Sequence, residues 1–489
     1  MENIDRHIVA IDLGSSKISL TVAKVNGQDI QVIYYKETPS NGIRYSSIYN
    51  DLHARKALEK AVQEAEAELD IKITQAVVGM PKFPIRQESG NAMIQDRGEG
   101  AEITEEDIAT LKKFAQSVYP IEDDSKEAIY GSVAQSFSDG ENFQIIEEEI
   151  IGMGSDTLEG NFKIFIGKKG NLNKIDSLMN KSGIVPMRKY FTAESTARAV
   201  LRESEMESGV ALIDFGGGCT SVSIYQGKIM RHYASIPFGG KNITNDIKSE
   251  CQISERLAEN IKLEFGACMP DKLLSLSDKI LSISGNGSET NKQLSVKYLS
   301  EIITARVEEI IMAILYEIEK SGFADSLRSG IVVTGGVAQT ANLANLIYDI
   351  SGFRVRIGYP QKTFSCEGCE GLAETSAATA IGLIMSSIND STINCATVKE
   401  SEPVTEAIFE EIGVVGNQEE PQGSLFKSDE IETVDPEAKP KTKTKKNSGG
   451  GIFRIFTNKV TKTYNSLYGD TDYETDVEDT DEEDTEEKA

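Results

Sequence analysis

The chain contains Ile11-Asp12-Leu13-Gly14-Ser15-Ser16-Lys17 near its start, and Ile213-Asp214-Phe215-Gly216-Gly217-Gly218-Cys219-Thr220 about two hundred residues later. Each stretch follows an apolar run and precedes an alternating segment, a pattern that predicts a β-hairpin with a glycine-rich turn. Glycine lets backbone N–H groups approach an anion closely. Two matching turns therefore predict a nucleotide held between two related halves, although either turn alone is compatible with an ordinary hairpin.

The two turns together predict a phosphate clamp with a metal ion. The candidate phosphate-binding residues are Gly14, Ser15, Ser16 and Lys17 in the first turn, and Gly216, Gly217, Gly218, Cys219 and Thr220 in the second. Asp12 and Asp214 open the turns, and we expect them to hold Mg²⁺ near the phosphates, mostly through water.

Three further places are candidates for contact with the nucleotide or for hydrolysis. A third glycine turn, Thr334-Gly335-Gly336-Val337, follows a strand and is compatible with adenosine against the backbone or with a plain turn. Glu259 and Lys262 face one way on a predicted helix, either to hold ribose and adenine or as a solvated ion pair. Glu194 begins a helix of small residues, either to position water or as an acid favoured by the helix dipole.

Composition limits the class of protein. The 489 residues predict two to four domains, and a formal net charge of −27 argues against non-specific binding to nucleic acid. The six cysteines lack the second pair or the grouped histidines of a zinc site, which favours a reduced protein. No apolar stretch is long enough for a membrane span, and the first strand begins almost at Met1, so we expect a cytoplasmic chain without a signal peptide.

The order of elements predicts an α/β chain with an internal duplication. Each half begins with a hairpin bearing an aspartate and glycines and ends in a helix of small residues, 193–200 or 374–387. Polar strands are expected in the first insertion at 127–136 and 143–149. The predicted divisions are 1–83 with 163–195 (core of the first lobe), 84–162 (inserted subdomain), 196–239 with 330–389 (core of the second lobe), 240–329 (helical insert), 390–449 (disordered linker), 450–468 (amphipathic helix) and 469–489 (acidic tail).

The segment 450–468 predicts a helix with one apolar face and basic residues beside it. The apolar face contains Ile452, Phe453, Phe456, Val460, Tyr464 and Leu467, and the basic residues are Arg454, Lys459 and Lys462. The tether before it and the nearby lysines favour an anionic membrane surface over a partner helix. One short helix binds weakly, so stable attachment requires many copies acting together. The last twenty residues carry twelve acids and one lysine, and we expect this block to stay disordered.

These motifs, in this order, resemble the actin-like ATPase superfamily, and within it the FtsA family of bacterial division proteins. The turns at 12–17 and 214–220 resemble the two phosphate motifs, 334–337 resembles the adenosine motif, and the small-residue helices resemble the connecting helices. The segment Pro237-Phe238-Gly239-Gly240-Lys241-Asn242-Ile243 is typical of the family and adds Gly240 to the candidate site. Cys219 stands where the family usually has threonine.

The resemblance implies an actin-like, two-lobed, duplicated ribonuclease-H-like fold with the subdomain insertion of the family, a disordered linker and a terminal amphipathic helix. It also implies ATP and Mg²⁺ as cofactors, with Glu194 as a water-positioning residue and Glu259 and Lys262 as adenosine contacts. The implied partners are the C-terminal tail of FtsZ at the 240–329 insert, further copies of the chain in a filament, other division proteins and the cytoplasmic face of the membrane at the division site. Any ATP hydrolysis is expected to be slow, since the nucleotide acts as a switch for assembly.

Two other functions remain open on this evidence. One is a pilus-assembly ATP-binding protein of the same fold, which docks a peptide of a partner. The other is a small-molecule kinase, which needs a catalytic aspartate and a substrate pocket and usually lacks a terminal amphipathic helix.

Overall fold

The computed structural model of the chain describes residues 6–98, 100–273, 278–283, 292–361, 363–366, 368–398 and 431–434, all within one unit that spans Met1–Lys439. The strands are β1 (Arg6–Leu13), β2 (Lys17–Asn26), β3 (Asp29–Pro39), β4 (Ile43–Arg44), β5 (Ser47–Ile48), β6 (Ile71–Ile73), β7 (Gln75–Gly79), β8 (Ile85–Ile94), β9 (Glu127–Ser138), β10 (Leu158–Lys168), β11 (Val185–Tyr190), β12 (Val210–Phe215), β13 (Thr220–Gln226), β14 (Ile229–Ile236), β15 (Ile280–Ile283), β16 (Lys292–Ser295), β17 (Ile331–Thr334), β18 (Val355–Ile357), β19 (Ser365–Cys366), β20 (Ala396–Val398) and β21 (Ile431–Val434). The helices are α1 (Asp51–Leu69), α2 (Glu105–Val118), α3 (Glu147–Ile150), α4 (Lys169–Lys181), α5 (Thr192–Val200), α6 (Glu203–Ser208), α7 (Gly240–Cys251), α8 (Glu255–Phe265), α9 (Val296–Lys320), α10 (Leu343–Ser351) and α11 (Ala378–Ser387).

Two mixed sheets have the same order of connections. The first sheet is ordered β11-β7-β1-β2-β3-β19 and the second β14-β13-β12-β17-β18. In each, an antiparallel meander is followed by two strands that lie parallel to its first strand, so the sheets match strand for strand except for the added β19. The duplication expected from the motifs is therefore present in the fold.

The two hairpins place their aspartates in equivalent positions. Asp12 pairs with Ser19 across β1 and β2, and Asp214 pairs with Ser221 across β12 and β13. Each aspartate is the penultimate residue of the first strand, with one apolar residue between it and the first glycine of the turn. The sequence therefore positions both carboxylates at the turn end of their sheets.

Helices α5 and α11 cross in close contact because their residues are small. Ser195 Oγ lies 3.1 Å from Ser386 Oγ, and Thr196 Oγ1 lies 3.0 Å from Thr379 Oγ1. A Cβ on Gly382 would overlap the backbone carbonyl of Ser195. Both helices predicted from small residues are found, although 375–377 forms a 3-10 turn before α11 begins.

The first insertion forms a three-stranded sheet, β8-β10-β9, covered by α2. Thr104 caps α2, and its hydroxyl accepts from the Asp107 amide while the Asp107 carboxylate accepts from the Thr104 amide. Strand β8 was not predicted, because half of its residues are polar and only Ala92 in the strand is buried.

The strand predicted at 143–149 is wrong. Ile145 forms a single bridge to Phe137, and 147–150 forms the short helix α3. Asp139 Oδ1 accepts hydrogen bonds from the amides of Glu141 and Asn142, so a polar turn directs the chain away from continuous pairing.

The second insertion is largely helical, as expected, with α7, α8 and α9, and it also contains strand β15, which pairs with β16 on one side and with β21 on the other. Order continues beyond residue 390, where the linker was predicted to begin. Cys395 is buried, its amide donates to the His7 carbonyl, and β20 pairs with β6. The apolar residues there are too few to distinguish a short strand from linker sequence.

The predicted amphipathic helix at 450–468, the acidic tail at 469–489 and most of the predicted linker lie outside the described residues. Among the helices that are described, none is both long enough and apolar enough to cross a membrane.

His232 lies where β8 meets β14 and is expected to make stability depend on pH. Its Nδ1 lies 2.6 Å from Gln87 Nε2, and burial lowers the pKa of His232 to about 4. Because this value is below the unfolded pKa of about 6.5, the stabilisation is complete above pH 6.5 and is lost as the pH falls towards 4, by roughly 3 kcal/mol. Urea unfolding of wild type and His232→Gln between pH 4 and 7 measures this. An unchanged pH dependence in the variant would contradict the assignment.

Candidate functional site

A cavity of about 350 Å³ lies where the turns of the two sheets meet. Most of the predicted site residues line it. These are Asp12, Gly14, Ser15, Ser16, Lys17, Asp214, Gly216, Gly217, Gly218, Cys219, Gly240, Glu259, Lys262, Gly335, Gly336 and Val337. Residues from both halves of the chain therefore surround one space, which is the arrangement that a clamp requires.

Glycine is required where the two turns face each other. A Cβ on Gly217 would collide with the Ser16 hydroxyl, and a Cβ on Gly218 would lie 2.5 Å from Ser15 Oγ. The second turn is fixed by a backbone hydrogen bond from the start of α7, in which the Gly240 amide donates to the Gly216 carbonyl at 3.0 Å. The backbone can therefore approach an anion from both sides without interference from side chains.

Two carboxylates and one lysine form the charged wall of the cavity. Lys82 Nζ pairs with Asp214 Oδ2 and lies 3.4 Å from Thr379 Oγ1. Burial raises the pKa of Asp12, while Lys82 opposes this shift. Burial alone would lower the pKa of Lys82, but Asp214 and Asp12 outweigh it and raise the pKa.

Lys82 was not predicted from the sequence, because it lies between two prolines in Met80-Pro81-Lys82-Phe83-Pro84 and matches no motif. The apolar run that ends at Gly79 could have indicated Lys82. It forms strand β7 parallel to β1, so the residues after β7 emerge at the same sheet edge as Asp12.

The opposite end of the cavity is formed by α7 and α8. Lys262 Nζ lies 2.7 Å from Glu259 Oε2, 2.9 Å from Thr244 Oγ1 and 3.2 Å from the Gly240 carbonyl. Glu259 and Lys262 thus form the ion pair that the sequence allowed, and they also line the cavity.

The third glycine turn supplies an open surface. Gly335 has φ +90°, and its Cβ would lie 2.8 Å from Asp214 Oδ1, so glycine is required there. A Cβ on Gly336 would meet no atom within 4 Å, although Gly336 lines the cavity. The backbone at Gly336 therefore leaves room for a flat group such as a purine.

Thr220 and Glu194 are the two predicted site residues that the structure does not bring to the cavity. The Thr220 hydroxyl donates to the Phe238 carbonyl at 2.8 Å and is fully buried, because β13 has already begun at this residue. Glu194 lies in the first turn of α5 with its side chain exposed.

The donors fit a magnesium ion that is held together with phosphate and water. Asp12 and Asp214 are the carboxylates at the turns, and no group of three or more His, Cys, Asp or Glu side chains arranged for a metal occurs in the part of the chain that the structure describes. Two carboxylates alone suit Mg²⁺, which keeps several waters and takes further oxygens from phosphate.

The chain is similar to known proteins over most of its length. The family model for the cell division protein FtsA matches residues 211–382. The FtsA of Neisseria meningitidis serogroup B is 30% identical over 388 residues, which cover 78% of this chain and 91% of the relative. The FtsA of Pseudomonas aeruginosa is 27% identical over 380 residues, which cover 77% and 88%.

A solved chain in a PilM–PilN type IV pilus biogenesis complex has a TM-score of 0.54 at 12% identity, covering 78% of this chain and 98% of that one. This likeness concerns the fold alone, and it agrees with the actin-like α/β fold of two equivalent sheets. The coverage of the FtsA relatives is decisive for the family, and the chain belongs to the FtsA family of cell division proteins.

Proposed function

We propose that the chain binds ATP with Mg²⁺ between its two lobes, self-associates, and anchors the FtsZ ring to the cytoplasmic face of the membrane at the division site. The observation that carries the nucleotide part is the convergence of two equivalent glycine turns, each preceded by an aspartate, on one cavity. The membership in the FtsA family supports the role in division.

Each part of the cavity has a role in this proposal. The backbone at Gly14–Lys17 and Gly216–Cys219 receives the phosphates, and Asp12 and Asp214 hold Mg²⁺, which neutralises phosphate charge. Gly335, Gly336 and Val337 receive the adenosine, with Gly240, Glu259 and Lys262 at its ribose and base. Thr220 has no ligand role, because its hydroxyl is used within the fold.

In this proposal the chain hydrolyses ATP slowly or not at all. Glu194 is kept as the candidate that positions water, because an exposed carboxylate oxygen can accept a hydrogen bond from water. It does not line the cavity in this structure, so it acts only after the two lobes have rearranged.

The partners are assigned by segment. The helices of the 240–329 insert receive the C-terminal tail of FtsZ, and other division proteins and further copies of the chain contact the remaining surface. The segment 450–468 binds the anionic membrane, with Ile452, Phe453, Phe456, Val460, Tyr464 and Leu467 in the lipid boundary and Arg454, Lys459 and Lys462 at the headgroups.

Co-sedimentation with anionic vesicles tests the membrane part. Full-length chain with Mg-ATP is expected to pellet with the vesicles, because many copies in a filament multiply a weak single contact. A truncation after residue 448 and the double variant Phe453→Asp, Phe456→Asp should both stay in the supernatant. A truncation after 469, which removes only the acidic tail, is the matched control and should pellet at least as well as full-length chain.

Adding FtsZ to the same assay tests the bridging role. FtsZ is expected to pellet only when full-length chain and vesicles are both present. If the truncation after 448 pelleted as well as full-length chain, the anchoring role would be rejected.

A further inference from the structure

We propose that Lys82 distinguishes a nucleotide with three phosphates from one with two. This inference rests on the proposed binding of ATP in the cavity. It assigns to Lys82 a direct contact with the terminal phosphate. Asp12, Asp214 and the glycine turns have other roles in the proposed site, namely holding the metal ion and the phosphate chain.

Among the described lining residues, Lys82 is the one lysine that forms an ion pair with either of the two turn aspartates. Lys17 pairs instead with Glu37, and Lys262 pairs with Glu259. The Lys82 side chain is 14% exposed and that of its partner Asp214 is 9% exposed. A buried cation of this kind is costly unless it is paired at all times.

A divalent cation bound in the cavity would compete with Lys82 for the Asp214 carboxylate. Lys82 Nζ and a metal ion would both be drawn to the Asp214 carboxylate, and two cations at one oxygen repel each other. Once Asp214 binds the metal ion, the Lys82 ammonium needs another anion nearby to pair with. In an ATP complex that anion is the terminal phosphate, whereas an ADP complex lacks it.

The backbone of Lys82 is bonded to both halves of the chain, so a change of partner at its side chain acts on contacts outside the cavity. The Lys82 amide donates to Ser46 Oγ at 3.2 Å, and its carbonyl accepts from the Tyr233 hydroxyl at 2.7 Å. Ser46 belongs to the first half of the chain and Tyr233 to β14 in the second. Lys82 is thereby held from both halves, which keeps its ammonium at the cavity.

The position of Lys82 also connects the cavity to the inserted subdomain. Only Phe83 and Pro84 separate it from β8, and the Gln87 side chain of β8 accepts from the Tyr233 amide at 3.1 Å. Tyr233 therefore contacts both Lys82 and β8. An exchange of partners at Lys82 is expected to shift β8, which lies outside the cavity.

Affinities of full-length chain for fluorescent ATP and ADP, with Mg²⁺, test the proposal. Lys82→Met is expected to weaken ATP binding about ten- to hundredfold, the range for loss of a hydrogen bond to a charged group, and ADP binding less than about threefold. Lys82→Arg keeps the charge and should keep the preference for ATP. The matched control is Lys262→Met at the other end of the cavity, which should weaken both nucleotides alike.

A second variant and a second readout guard against misfolding. If Lys82→Met does not show a wild-type urea transition, Ser46→Ala takes its place, because it removes the hydroxyl that accepts from the Lys82 amide and leaves the Lys82 side chain unchanged. It should reduce the ATP preference by about threefold. Amide hydrogen exchange in β8 should differ between the ATP and ADP complexes of wild type and not between those of Lys82→Met.

The outcomes separate this proposal from the proposed function. If the wild-type chain bound neither ATP nor ADP, the proposed nucleotide binding itself would be rejected. Wild type that binds ATP, together with a Lys82→Met variant that weakens ATP and ADP equally or not at all, would overturn the role of Lys82 and leave nucleotide binding in place.

Discussion

Replacing Gly382 by valine is expected to destabilise the folded chain by at least about 3 kcal/mol, a large part of the stability of an ordinary domain. Gly382 lies in α11, where a Cβ would overlap the carbonyl of Ser195 and lie 3.1 Å from the Thr196 nitrogen of α5. The obstructing atoms belong to the backbone of a buried helix, so no side chain can turn aside. Urea unfolding followed by circular dichroism measures the loss.

Gly170→Ala provides the matched control for this prediction. Gly170 is also helical, in α4, but a Cβ there would meet no atom within 4 Å. Because alanine favours helix more than glycine does, the control should be as stable as wild type or slightly more stable. A Gly382→Val variant with the wild-type midpoint would mean that α5 and α11 do not cross this closely.

Replacing Gly336 by tryptophan is expected to abolish measurable ATP binding while leaving the fold intact. A Cβ at Gly336 has free space around it, so the new side chain needs no rearrangement of the core. Since Gly336 lines the cavity, an indole there would occupy the space that the proposal gives to adenosine. Titration with fluorescent ATP is the measurement, and the urea midpoint should stay at the wild-type value.

Gly336→Ala controls for the backbone in that experiment. Alanine adds one methyl group to open space, so its ATP affinity should stay within about threefold of wild type, or roughly 0.7 kcal/mol. If Gly336→Trp bound ATP as tightly as Gly336→Ala, adenosine would have to lie elsewhere.

The parts of the fold that were predictable are those with local signals. Aspartate followed by glycines between two alternating segments fixes a hairpin within about twenty residues, and both hairpins were found where the sequence indicated. The capping box at Thr104 and Asp107 is equally local. The two hairpins occupy equivalent positions in their sheets, and both turns line the cavity. The turn sequences therefore indicated residues on both sides of the site.

The parts that were missed depend on contacts between distant segments. Lys82 matters because β7 lies parallel to β1 and because Asp214, 132 residues away, faces it. Strand β20 exists because β6 offers an edge to it. The motif also does not show that the Thr220 hydroxyl donates to the Phe238 carbonyl, 18 residues further along the chain. No local pattern reveals such partners.

Calorimetric titration of the purified full-length chain with ATP in the presence of Mg²⁺ measures nucleotide binding between the two lobes. We expect saturable binding of one ATP per chain, lost when Gly336 is replaced by tryptophan and weakened without Mg²⁺, since Asp12 and Asp214 would then face the phosphates without a metal between them. A folded chain that shows no saturable binding of ATP, or binds it equally well in the Gly336→Trp variant, would rule out a nucleotide site in this cavity.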